Sequence, residues 1–242
     1  MISIVIIASN SQDTIKECLE SSIKFDEVIL YLNNSNDNTK QIALTFSNVK
    51  VVDGYFDGFG TTKNRALTYT KNEWVFVLDS DEKFEQNLVD ELLNLNLDIN
   101  SCYKVNRKNL FLGEEVKYSG WNPDWIVRLF NKNKTKFNQV EVHEKVITKN
   151  LSIKKLNYRI SHYAINDVRD FLLKTYSYSN LKRKKNKTYH PFIIFTKACF
   201  SFFKTYFLKL GFLDGYKGLV ISIGNFNGVF FKYMVSYAKG KK

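Results

Sequence analysis

Trp74-Val75-Phe76-Val77-Leu78-Asp79-Ser80-Asp81-Glu82 is an apolar run that ends in acids. An apolar run of this length reads as a buried strand, and its closing carboxylates put negative charge at the carboxyl edge of a sheet. In open α/β folds ligands bind outside that edge. If the chain stays extended through the acids, Asp79 and Asp81 project to the same side, so the two can share one divalent cation. Hard oxygen donors suit Mg²⁺ or Mn²⁺, and Mg²⁺ is commonly held by one or two carboxylates together with substrate phosphates. The same residues also suit an Asp-rich turn capping the next helix, and Asp-x-Asp by itself is a weak signal.

Strand and helix patterns alternate around this run. Residues 2–7 form a continuous apolar strand, too short and too little basic at its start for a signal peptide. Ile15, Cys18, Leu19, Ser22 and Ile23 follow helical spacing. Strands are expected at 27–32 and 49–52, with a helix containing Ile42, Ala43 and Phe46 between them. A helix over 61–70 follows the glycine-rich residues 54–60, and another holds Leu88, Val89, Leu92, Leu93 and Leu95. Strands separated by helices imply right-handed crossovers and a parallel sheet. Further strands are expected near 102–111, 114–119, 125–130 and 155–164, with helices dominating from about 167. There is no internal repeat. The expected division is an α/β domain over 1–165 and a helical extension over 166–242.

Charge divides the chain in the same way. The net charge is +12, yet residues 1–150 carry 18 Lys and Arg against 21 Asp and Glu, net −3. Residues 151–242 carry 18 basic residues and 3 acids, net +15. That asymmetry implies a polyanionic partner: nucleic acid, anionic lipid or a phosphorylated substrate. No RNA- or DNA-binding module is recognisable, which disfavours nucleic acid. Cys18, Cys102 and Cys199 have no metal-ligand spacing and read as small apolar residues in a reducing compartment.

Several segments, in order, carry a family resemblance. They are residues 4–10, Asp26-Glu27-Val28-Ile29, Ser35-Asn36-Asp37-Asn38-Thr39, Gly58-Phe59-Gly60-Thr61-Thr62-Lys63-Asn64-Arg65-Ala66 and Leu78-Asp79-Ser80-Asp81-Glu82. Together they resemble the nucleotide-sugar half of a family-2 glycosyltransferase with a GT-A fold, a Rossmann-like, mainly parallel sheet flanked by helices. Trp121-Asn122-Pro123-Asp124, Arg128-Leu129-Phe130, Val142-His143-Glu144, His162-Tyr163 and Gly211-Phe212-Leu213-Asp214-Gly215 are similar to the branch acting on lipopolysaccharide core.

The resemblance implies a sugar donor activated as a nucleotide diphosphate, with UDP the first expectation, and a lipopolysaccharide, lipooligosaccharide or other lipid-linked glycan as acceptor. It implies Mn²⁺ or Mg²⁺ at Asp79, Asp81 and His162, neutralising the leaving diphosphate. Ser9, Asn33, Lys63, Asn64 and Asp79 would surround the nucleotide. An Asp usually ends the second strand in this family, so Asn33 at that point leaves the choice of base open. Inversion requires a base to take the acceptor hydroxyl proton. Glu144 suits that slot, with Asp124 as its rival. Trp121, Trp125 and Arg128 would bind the acceptor, the indoles by stacking on sugar rings.

The C-terminal segment has a basic run at 182–187, then seven aromatics within residues 191–210. Lys197, Ser201 and Lys204 fall on one stripe of an otherwise apolar helix. The longest uncharged run, 218–231, has 14 residues and is too short to span a bilayer. The pattern suits an interfacial segment on an anionic leaflet, which would hold the protein on the inner face of the cytoplasmic membrane. Packing on the catalytic domain and a homodimer interface are the alternative uses. At the level of function, the competing class is a non-enzymatic, basic membrane- or polyanion-binding protein on the same scaffold.

Overall fold

The computed structural model of the protein describes residues 1–139, 144–169, 171–173, 175 and 188–239. Val142-His143 and the basic run 182–187 lie outside the described residues. Two compact units are present, one of Met1–Arg107 with Asp124–His162, the other of Lys108–Pro123 with Tyr163–Lys242. The second unit therefore takes in residues 108–123, which a division at 165 leaves in the first.

Along the chain the elements are β1 (Ile2–Ala8), α1 (Ile15–Ser21), β2 (Val28–Asn33), α2 (Thr39–Ala43), β3 (Val49–Gly54), α3 (Phe59–Leu67), β4 (Trp74–Asp79), β5 (Glu82–Phe84), α4 (Gln86–Leu93), β6 (Ser101–Phe111), β7 (Glu114–Glu115), β8 (Trp125–Asn131), β9 (Ser152–Ile165), α5 (Pro191–Phe203) and α6 (Tyr216–Lys239). The strand order is β3-β2-β1-β4-β8-β6-β9-β5, with β7 on β6. Strands β1 to β4 are parallel, whereas β8 runs antiparallel to β4 and β6, and β9 antiparallel to β5. This is the GT-A arrangement of a mixed sheet flanked by helices.

Both faces of the parallel strands are covered, which explains why these strands are apolar throughout rather than alternating. Ile4, Ile6, Leu30, Phe76 and Leu78 pack against Ile15, Cys18 and Leu19 of α1 and Leu88, Val89 and Leu92 of α4. The intervening residues Val5, Ile7, Ile29, Val75 and Val77 pack against Ala66 and Leu67 of α3. Strand order reverses between β1 and β4, so their carboxyl ends open the crevice in which doubly wound sheets bind ligands.

Three local expectations are corrected. The acidic run does not stay extended: β4 ends at Asp79, Ser80 and Asp81 form a turn, and Glu82 opens the short strand β5 on β9. The strand expected at 114–119 is only Glu114–Glu115. Cys199 is exposed, unlike the buried Cys18 and Cys102.

In the second unit, α5 starts at Pro191, where the missing amide costs nothing, and the His190 ring accepts from the Phe192 amide at 3.4 Å. Helices α5 and α6 pack together through Phe195 and Phe226, 6.0 Å apart, with Asn225 donating to Thr205 at 3.0 Å. Much of the aromatic surface is left outside: Phe192 is 70% and Phe200 60% exposed. Among the described residues no helix is long and apolar enough to cross a membrane.

Candidate active site

The carboxyl end of β4 holds a ladder of charges, all within the first unit. Asp79 lies between two cations: Lys63 Nζ is 2.9 Å from one carboxylate oxygen, and the Arg128 guanidinium pairs with the other. Arg128 continues to Glu82 at 2.7 Å, Glu82 to Arg107 at 3.3 Å, and Arg107 to Asp124 at 2.7 Å. In the other direction Lys63 reaches Glu144 at 2.8 Å. Seven alternating charges thus join Glu144 to Asp124, with Lys63, Arg128 and Glu82 nearly or fully buried. Burial would raise the Asp79 carboxyl, but the charges of Arg128 and Lys63 overcome this and hold it well below the ordinary carboxylate range. For the Cys18 thiol, which donates to the Asp79 carbonyl at 3.7 Å, burial and then Glu82, Asp81 and Asp79 all push upward.

The segment around Glu144 is held in place by α3. A side chain on Gly60 would run into the Asn138 carbonyl, so a glycine permits the close approach. Asn64 gives and takes with the Phe137 backbone, both hydrogen bonds at 2.9 Å. Phe137 in turn bridges to Val146. The Gly60–Lys63–Asn64 spacing therefore places glycine, lysine and asparagine on one helical face, and that face docks the chain bearing Glu144.

Asp81 points elsewhere. Its carboxylate is 3.6 Å from His162 Nε2, because Glu82 pairs with His162 across β5 and β9. Asp79 and Asp81 thus face different partners, on either side of the turn that separates them. Among the described residues no three His, Cys, Asp or Glu side chains converge as a metal set. Asp81 and His162 still fit a cation completed by phosphate oxygens, whereas Asp79 has both oxygens committed to Lys63 and Arg128.

Other expected site residues divide similarly. Arg128, expected at the acceptor, is buried and paired with internal carboxylates. Asn64, expected at the nucleotide, is bound to backbone. Asn33 is buried at the end of β2, and Ser9 is exposed after β1. Next to Ser9 the β1–α1 loop is clipped to the β2–α2 loop, with Asn10 donating to Ser35 at 3.0 Å and accepting from Asn36 at 2.9 Å. Trp125 has Lys155 and Lys104 over its ring at 5.1 and 5.8 Å. Trp121 belongs to the second unit, where it packs on Phe111. Sequence reasoning missed Glu82 and Arg107. The signal for Glu82 was an acid directly following the acidic turn, whose burial is made tolerable by Arg128, Arg107 and the Asp79 amide.

Residues 3–160 match the model of glycosyl transferase family 2. The chain belongs to that family. An uncharacterized glycosyltransferase of Rickettsia typhi is 28% identical over 239 residues, spanning 92% of this chain and 82% of the relative. The lipopolysaccharide core biosynthesis glycosyltransferase LpsC of Rhizobium meliloti is 23% identical across 88% of this chain and 82% of its own length. Among solved structures, residues 1–349 of S. aureus TarS in complex with UDP-GlcNAc align with a TM-score of 0.53 at 17% identity, over 99% of this chain and 87% of that one. That likeness is one of fold, and in this family fold the charge ladder occupies the crevice edge of β4.

Proposed function

We propose that this protein is an inverting, metal-dependent transferase that moves a sugar from a nucleotide-diphosphate sugar, a UDP-sugar first among them, to a lipopolysaccharide core or another lipid-linked glycan. The observation that carries the reading is the Asp79–Lys63–Glu144 bridge at the carboxyl end of β4, with Asp81 and His162 beside it. Similarity to LpsC supports the class of acceptor.

In this reading Asp81 and His162 hold Mn²⁺ or Mg²⁺, which when bound supplies positive charge to the leaving diphosphate. Glu144 takes the proton of the acceptor hydroxyl as that oxygen bonds to the anomeric carbon and the bond to the diphosphate breaks. Lys63 orients Glu144 and neutralises Asp79, so donor and base are set by one side chain. Asp124, locked to Arg107, is the alternative base. The aromatic face of α5 and α6 rests on an anionic membrane, with the basic run 182–187 adding attraction. The non-enzymatic reading has no use for a buried lysine bridging two carboxylates.

Donor hydrolysis and transfer measured with and without Mn²⁺ test the proposal. Asp81→Asn is expected to cut both by orders of magnitude in a folded protein. Glu144→Gln should abolish transfer and leave nucleotide binding within about twofold. Full metal-independent activity, or an active Glu144→Gln beside a dead Asp124→Asn, overturns the respective assignments.

A further inference from the structure

The segment Gly211-Phe212-Leu213-Asp214-Gly215 has no place in the chemistry above, yet its acid is buried. Asp214 is 8% exposed, and all four hydrogen bonds it accepts come from three consecutive residues. The Lys117 amide donates to Oδ1 at 2.9 Å. The Tyr118 amide is shared between both oxygens at 3.2 and 3.0 Å. The Ser119 hydroxyl donates to Oδ2 at 2.8 Å. Successive amides converging on one carboxylate form an anion-holding nest, here filled from within the chain.

The loop so held needs holding. Ser119 is 2% exposed with φ +58, a left-handed conformation that costs a non-glycine residue roughly 1 kcal/mol or more. Its amide donates to the Lys209 carbonyl at 2.9 Å. On the other side, a Cβ on Gly218 of α6 would collide with the Gly211 carbonyl, so the helix seats directly against the turn bearing Asp214. Two residues beyond Ser119 comes Trp121, whose carbonyl accepts from Asn109 at 2.9 Å and whose ring lies 6.4 Å from that of Phe111. The chain then runs through Pro123 into Asp124.

We propose that Asp214 is a positioning residue for the acceptor: through Lys117, Tyr118 and Ser119 it fixes the loop that presents Trp121 to a glycan. This rests on the reading of the protein as a glycosyltransferase with Trp121 on its acceptor side. It gives the C-terminal unit a part in substrate recognition that does not depend on membrane binding.

The test uses the full chain and a delipidated lipopolysaccharide core oligosaccharide as probe. Tryptophan fluorescence reads oligosaccharide binding, and donor hydrolysis is measured on the same preparations. Asp214→Asn is expected to weaken oligosaccharide binding about tenfold or more while the donor KM changes less than twofold. Ser119→Ala, which removes one of the four hydrogen bonds and retains the backbone, is expected to do the same to a smaller degree. Trp121→Ala should weaken binding in wild type and have little further effect in Asp214→Asn. Equal losses in both readouts make Asp214 a fold element and overturn the proposal, as does unchanged oligosaccharide binding in the variants. No oligosaccharide response in a wild type that hydrolyses donor overturns it alone. A wild type that binds oligosaccharide but never hydrolyses or transfers donor overturns the transferase reading instead.

Discussion

Replacing Arg128 with Met removes the cation between two buried carboxylates while keeping most of the side-chain volume. Asp79 would retain Lys63 at 2.9 Å, and Glu82 would retain Arg107 at 3.3 Å. Removing one partner of a buried ion pair costs roughly 3–5 kcal/mol, and the surviving partners place this case at the lower end. An opposing contribution exists. Arg128 Nε is buried with no partner among the described residues, and an unsatisfied buried donor costs about 1–3 kcal/mol, which Met relieves. The net expectation is a loss of about 2 kcal/mol. With an m-value near 3 kcal/mol per M, the urea midpoint falls by roughly 0.7 M. Adding Glu82→Gln removes the carboxylate left behind, so the double variant should be more stable than the two single losses predict, by about 1–2 kcal/mol of coupling. A midpoint within 0.2 M of wild type for Arg128→Met, together with additive single effects, refutes the view that this ladder is a buried ionic structure.

Two further outcomes follow from the same geometry. Because the Asp79 carboxyl is lower in the folded protein than its ordinary value of 3.8, its ionised form adds stability above about pH 4, and that stability is lost as pH falls through the lower folded value. Urea midpoints taken between pH 5 and pH 2 should fall more steeply in wild type than in Asp79→Asn, the difference approaching about 1.4 kcal/mol per pH unit; parallel curves contradict the pairing. The exposed rings of α5 should hold the protein on anionic vesicles in a way salt weakens and detergent abolishes. Phe192→Ser with Phe200→Ser is expected to shift it to the supernatant in co-sedimentation, and indifference of the wild type to such vesicles removes the membrane role.

The fold was legible in the chain because its decisive signals are local. Continuous apolar strands such as Ile2–Ala8 and Trp74–Asp79, separated by amphipathic helices, point to a parallel sheet covered on both faces, and in such a sheet the crevice for ligands lies at the carboxyl end of β4. The acids of that edge could be named from the same nine residues that ended the strand. Their partners could not. Whether Asp79 meets a cation or a metal depends on Lys63, 16 positions earlier in the chain, and Arg128, 49 positions later, and a pairing across such separations leaves no periodicity to read. The turn at Ser80 and Asp81 was equally hidden, since it exists because Glu82 joins β9 some 80 residues on. Asn64 and Arg128 have the chemistry of ligand-binding residues, and only packing shows the Asn64 amide bound to the Phe137 backbone and an Arg128 nitrogen paired with Asp79 and Glu82. Local sequence thus determined which chemical groups gather at the edge of the sheet. Tertiary structure decided which of them neutralise one another, because a buried charge must take whichever opposite charge the fold brings near it.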